Sequence, residues 1–153
     1  MNFKHRLLNT PDTWSLTIIR VMLGLVMWAH GAQKLLGWFG GPGPAGFVSG
    51  FEQMTGLPGF LAWLVILIEF VGGICLMVGF WTRIWAFGVL CLFIGIILYV
   101  HLPYGFFMNW GGNKAGEGYE FHLLVIGMAW ALVVGGAGLM SVDKTMYSNQ
   151  RAF

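Results

Sequence analysis

The sequence predicts an all-α integral membrane protein: a bundle of four transmembrane helices with both termini in the cytoplasm and two long outer loops. Three observations predict it. Of 153 residues, 58% are hydrophobic and only 9% are charged, roughly a third of the charge of an ordinary soluble domain. Four segments, 14–36, 59–81, 84–100 and 121–142, approach the ~20 apolar residues that a helix needs to cross a hydrocarbon core. The basic residues are also distributed unevenly. With the amino terminus inside, Lys4, Arg6, Arg83, Lys144 and Arg151 fall on the cytoplasmic side, and only Lys34 and Lys114 lie near the other, as the bias of cytoplasmic loops toward basic residues requires. Together the spans make residues 1–153 a single membrane domain.

The first span, 14–36, follows Lys4 and Arg6 as a secretory leader would. Arg20 interrupts its apolar run, however, and no small-residue cleavage site follows it, so it reads as a retained helix. Trp14, Trp81 and Trp85 mark proposed inner ends and Trp38, Trp63 and Trp110 outer ones, the placement expected of interfacial aromatic belts. Between the first two spans, GWFGGPGPAGF cannot continue a helix. In the following AGFVSGFEQM, Phe47, Phe51 and Met54 recur at helical spacing apart from Ser49, Glu52 and Gln53, which predicts a short amphipathic helix capping the bundle or gating a cavity.

The tight turn GFWTRIW makes the second and third spans antiparallel neighbours. The second long loop, HLPYGFFMNWGGNKAGEGYE, carries Phe106, Phe107 and Trp110 and is expected to fold back on the outer face. VGGICLM (71–77) and VGGAGLM (134–140) echo one another. Their glycines, Gly72, Gly73, Gly135 and Gly136, would let helix backbones approach closely. Cys75 and Cys91 lie in different spans and form no CxxC, so they read as small apolar residues.

Ionisable residues inside a span cost about 2.5–3.5 kcal/mol each at a helix centre, so they face the interior and pair. The first helix holds Arg20, His30 and Lys34, the second Glu69, the third ends at His101, and the fourth opens with Glu120 and His122. At about 100° per residue Lys34 lies about 40° from Arg20 and His30 about 80°, so these charges share one inward face with Gly24, Met27 and Gly31. Depth along the helices places Glu69 between two candidate partners, His30 about a turn and a half above it and Arg20 a similar distance below. An Arg20–Glu69 ion pair would fix helix register; a functional Glu69 would accept protons. His30, Lys34, His101 and Glu120 converge at the outer end. Glu120 and His122, two apart on a helix, point in nearly opposite directions.

Several chemistries suit that outer cluster. A metal site lacks HxxxH or HxxE spacing, and no metal ligands are assigned. A b-type haem would need His30 facing His101 or His122. A quinone or other small polar molecule would be held by His30, Lys34, His101 and Glu120, with His30 and Glu69 as catalytic proton donor and relay. A ligand-free polar network is the remaining reading.

The ordered set RVMLGLVMWAHGAQKLLG, FEQMTGLP, LIEFVGGICLMVGFWTR, GEGYEFHLLVIG and GLMSVDK, from Arg20 to Lys144, resembles the DoxX family of small four-helix bacterial membrane proteins. The resemblance maps that family's intramembrane arginine to Arg20, its histidine-glycine and lysine to His30, Gly31 and Lys34, its mid-helix acid and diglycine to Glu69, Gly72 and Gly73, and the acid opening the last helix to Glu120. It implies a multi-pass protein of the bacterial cytoplasmic membrane, in some cases a subunit of quinone-linked systems such as thiosulfate:quinone oxidoreductase. His101, His122 and GFFMNWGGNKAGEG fall outside the shared pattern. The chain has no dinucleotide-binding or cluster motif, so electrons would come from a partner redox protein. The expected function is therefore the membrane subunit of a quinone-linked oxidoreductase, in contact with lipid and with that partner or a second copy of itself, and not with nucleic acid. The rival expectations are a non-catalytic scaffold or assembly factor, a haem protein and a small transporter.

Overall fold

The computed structural model describes the backbone of residues 7–151 and the side chains of 7–148. Lys4, Arg6 and the Arg151 side chain, used above to orient the chain, lie outside the described residues. The described residues are helical, with no strand among them. Helix α1 spans Trp14–Leu36, α2 Gly43–Thr55, α3 Gly59–Val78, α4 Thr82–Ile96, α5 Glu120–Gly135 and α6 Val142–Arg151. Beyond Ile96, α4 widens into a π turn, Ile97–His101, and then a 3-10 turn, Leu102–Tyr104. Of the four expected spans, three are long and apolar enough to cross a membrane: Trp14–Leu36, Gly59–Val78 and Thr82–Tyr104. The fourth, α5, has 16 residues, about 24 Å at 1.5 Å per residue.

α5 stops short of the expected 142 for a local reason. Gly136 (φ 87), Gly138 (φ 75) and Met140 (φ 50) turn the chain out of the helix, and glycine adopts such angles without steric cost. The two VGG echoes therefore differ in structure. Gly73 lies inside α3 beside the α1 backbone, and a methyl there would meet the Gly24 carbonyl at 2.9 Å. Gly135 meets only the Leu16 side chain, and Gly136 belongs to the turn.

α1 packs most extensively on α3, α3 on α4, α4 on α5, and α5 back on α1. The closest approach, between α1 and α3, depends on Gly24, Gly31 and Gly73, whose missing side chains let the backbones touch. The core is Leu23, Met27, Leu76, Val89, Phe93, Val125 and Leu132 with small residues between them. Ile18, Met22, Leu64, Leu67, Phe87, Ile94, Leu124 and Trp130 are exposed on the outside. A continuous apolar exterior around helices whose backbone hydrogen bonds are internal is suited to lipid. The expected amphipathic helix is α2. Gly37 (φ 70) ends α1, Gly56 (φ 69) ends α2, and the Glu52 carboxylate accepts from the Gly59 amide at 2.8 Å.

The bundle has two unlike ends. One gathers the start of α1, the α3–α4 turn and residues 136–148. The other gathers the end of α1, α2, and the loop between α4 and α5. Arg83 and Lys144 lie at the first end, where Lys144 pairs with Asp12 at 2.5 Å; Lys34 and Lys114 lie at the second.

Candidate functional site

At the first end, Arg20 is 1% exposed and its guanidinium is saturated with backbone carbonyls. Nε donates to Ala137 at 3.0 Å, Nη1 to Leu76 at 2.9 Å and to Met77, and Nη2 to Leu139 at 3.4 Å and Met140 at 3.1 Å. Leu76 and Met77 lie in the last turn of α3, where the dipole is negative, and Leu76 also accepts from the capping Gly79 amide at 3.1 Å. The expected Arg20–Glu69 pair does not form. The antiparallel register explains why: Gly31 lies against Glu69 and Phe70, while Gly24 lies against Gly73 and Met77. That puts Arg20 eleven residues of helix, about 16 Å, from the level of Glu69.

Two more side chains finish this end. Asp143 is buried, and its carboxylate accepts from the Trp81 amide at 2.7 Å and the Thr82 amide at 2.9 Å, capping α4. Arg83 donates to Val133 and, at 2.6 Å, to Val134 at the end of α5, and to Asn9 at 2.9 Å.

At the other end Glu69, 3% exposed, is paired with Lys34: Nζ lies 2.5 Å from Oε2. With Gly31 seated on the Glu69 backbone, Lys34 is one turn further along α1 and its side chain reaches the carboxylate. Lys34 also approaches its own-helix carbonyl at His30, at 3.5 Å, and stands 5.2 Å from the centre of the Phe47 ring, close enough for a cation–π attraction.

This pair lines a cavity of about 790 Å³, within the size range of small-molecule sites. Apart from Lys34, Glu69 and a few other polar groups its walls are apolar: Phe47, Phe51 and Met54 of α2, Leu64 and Ile68 of α3, and Phe87, Cys91 and Tyr99 of α4. Gly88 and Gly95 line it from α4, and nothing lies within 4 Å of where a Gly95 side chain would begin. The cavity is a largely apolar trough with one net-neutral ion pair in its wall.

Of the four expected ligand contacts, the structure brings only Lys34 to this cavity. His30 is exposed and does not line it, although it lies within electrostatic range of Glu69. Glu120 Oε1 accepts from the Met108 amide at 2.9 Å and so braces the second loop. His101 Nδ1 donates to the Glu117 carbonyl at 2.8 Å, and its ring packs on that of His122 with centroids 4.2 Å apart. His122 is buried beside Phe93, and its Nδ1 has no hydrogen-bond partner among the described residues.

The two arms of the loop pair with each other, the Tyr119 amide donating to the Gly105 carbonyl at 3.2 Å and the Glu120 amide to the Phe106 carbonyl at 2.9 Å. Its aromatic rings point outward, however, with Trp110 89% exposed. The lining that the charged residues did not reveal comes from α4. Gly88, Cys91 and Gly95 fall within about 60° of one another on a helix, so a strip of small residues was the available signal.

A DoxX family model matches residues 15–102. "Putative oxidoreductase CatD" of Bacillus subtilis is 27% identical over 134 residues, 88% of this chain and 88% of that protein. "Inner membrane protein YqjF" of Escherichia coli is 31% identical over 134 residues, 84% of this chain and 89% of that one. No solved structure matches the chain. Helices long and apolar enough to cross a membrane, together with these relatives, make this a multi-pass protein of the bacterial inner membrane, and the chain belongs to the DoxX family.

Proposed function

We propose that this protein is the membrane subunit of a quinone-linked oxidoreductase system and binds a lipid-soluble quinone in the cavity between α2, α3 and α4. The observation that carries this reading is the Lys34–Glu69 pair in the wall of an apolar trough. A quinone has a matching form, an isoprenoid tail attached to an uncharged head with carbonyl acceptors. Because Lys34 is already neutralised by Glu69, an anionic head would add an uncompensated charge in low dielectric. An uncharged carbonyl compound adds none, so a quinone is preferred over a small anion.

In this reading Lys34 donates a hydrogen bond to the quinone carbonyl and supplies a proton on reduction, and Glu69 holds Lys34 in place and relays protons. His30 stands near the relay, and His101 and Glu120 act only by holding the second loop. Electrons come from a separate redox protein. In this reading α1, α3, α4 and the shorter α5 all cross the membrane with both termini in the cytoplasm, and the trough then lies in the outer leaflet, open to lipid. The name of the Bacillus subtilis relative supports the redox assignment.

Purification in mild detergent followed by solvent extraction tests this directly. Quinone should co-purify, and an added menaquinone or ubiquinone analogue should bind wild type at least tenfold more tightly than a Gly95→Leu variant. Absence of both would remove the quinone.

A second reading, a non-catalytic scaffold, is favoured by one observation, the outward Trp110 and Phe107 on a loop held by backbone hydrogen bonds. It predicts that Trp110→Ala abolishes co-purification of a partner while Gly95→Leu does not.

A further inference from the structure

We infer that Lys34 is also a nucleophile toward long-chain aldehydes, forming an imine in the same trough with Glu69 as its counter-ion. This goes beyond the quinone reading, which needs no covalent bond, and stands on the geometry of the site alone.

Three features point to it. A primary amine is set among apolar walls, where lysine nucleophiles are found. The Glu69 carboxylate is 2.5 Å away and almost wholly buried, so a proton can pass from Lys34 to Glu69 without leaving two separated charges in low dielectric. The remaining partners of Lys34 are a 3.5 Å contact to the His30 carbonyl and the Phe47 ring, and the amine borders the cavity. Lys114 and Lys144 are differently placed: Lys114 donates to the Phe107 carbonyl at 2.8 Å and Lys144 pairs with the exposed Asp12.

The chemistry balances within the pair. Glu69 takes one proton from the Lys34 ammonium. The free amine attacks the aldehyde carbon, forming the C–N bond, and an amine proton moves to the carbonyl oxygen to give a neutral carbinolamine. Glu69 then returns its proton to the hydroxyl, the C–O bond breaks, water leaves, and the nitrogen lone pair forms C=N. The sum is aldehyde plus ammonium giving iminium plus water, with no electron transfer. Glu69 is protonated while the nitrogen is neutral, and the iminium restores the positive charge as the carboxylate reforms, so neither charge stands alone. Loss of either charge alone would leave its partner unpaired, which is the costly outcome. The apolar tail of the aldehyde occupies the trough lined by Phe51, Ile68, Cys91 and Gly95.

The test uses the detergent-purified full chain and all-trans-retinal, an aldehyde with an apolar tail and a visible chromophore. Borohydride reduction followed by peptide mass spectrometry should place the adduct on Lys34 at least tenfold above Lys114 and Lys144. Before reduction, a band red-shifted from free retinal should appear, move to shorter wavelength in Glu69→Gln, and be absent in Lys34→Arg. Adduct on Lys34 no greater than on Lys114 and Lys144 in monodisperse wild type overturns the inference, whether or not the variants fold. Quinone binding measured on the same sample separates the two readings. Binding without a Lys34 adduct removes the imine only, and an adduct without quinone binding removes the quinone only.

Discussion

The two ends of this bundle use buried charge in opposite ways. At one end Arg20, Arg83 and Asp143 spend their hydrogen bonds on helix ends and turns, with backbone atoms as partners. At the other, Lys34 and Glu69 satisfy each other and border open space. Arg20, saturated by backbone, has nothing left for a ligand, whereas a self-neutralising pair at a cavity wall can exchange partners and protons at small electrostatic cost. Helix α1 supplies both, with Arg20 and Lys34 on nearly the same face.

The comparison can be broken most severely at Arg20. Arg20→Met leaves the Met77, Ala137 and Met140 carbonyls without their donor, since Leu76 keeps the Gly79 amide and Leu139 the Thr17 hydroxyl, and at about 1–3 kcal/mol for each buried unsatisfied group the loss should exceed about 3 kcal/mol. The variant should be absent from the folded fraction in fluorescence-detected gel filtration, and no second substitution in the 136–141 turn should restore it. Lys34→Met should cost about 3 kcal/mol by leaving Glu69 unpaired, seen as a lowered thermal transition in detergent. Unlike Arg20, it should be rescued: Lys34→Met with Glu69→Met replaces the pair by apolar side chains and should return to within about 1 kcal/mol of wild type.

Smaller effects sharpen the contrast. Asp143→Asn keeps the shape but offers an amide hydrogen to one of two backbone donors, and should cost about 1–2 kcal/mol by thermal unfolding without altering quinone affinity. Gly95→Leu should do the reverse, with stability unchanged within about 0.5 kcal/mol and quinone binding weakened at least tenfold in a fluorescence-quenching titration. Glu120→Gln, which can still accept from the Met108 amide, should change neither by a measurable amount.

Much of this was legible in the chain. Hydropathy alone placed α1 at 14–36, and the spacing of Phe47, Phe51 and Met54 announced α2, because both depend on local periodicity. The end of α5 was less legible, since VGGAGLM has nearly the letters of the helical VGGICLM and only tertiary demand separates them. Arg20 needed the carbonyls that a turn exposes.

The charged residues of the site were all visible, and their partnerships were not. Pairing across two antiparallel helices depends on register, and a shift of a few residues moved Glu69 from Arg20 to Lys34. That register is set by Gly24, Gly31 and Gly73, whose contribution is the absence of a side chain. His30, His101 and Glu120 share a level with Lys34 but not a direction, and the π turn at 97–101 brings His101 to His122. The trough was hidden for a related reason. Gly88, Cys91 and Gly95 look like ordinary membrane-helix residues until α2 is placed opposite them.

The division of labour between the two ends is tested most directly by titrating a menaquinone analogue into the Lys34→Met, Glu69→Met double variant. The protein should remain folded and monodisperse, with quinone affinity reduced at least tenfold. A folded double variant that binds the analogue as wild type does would contradict a functional role for the pair.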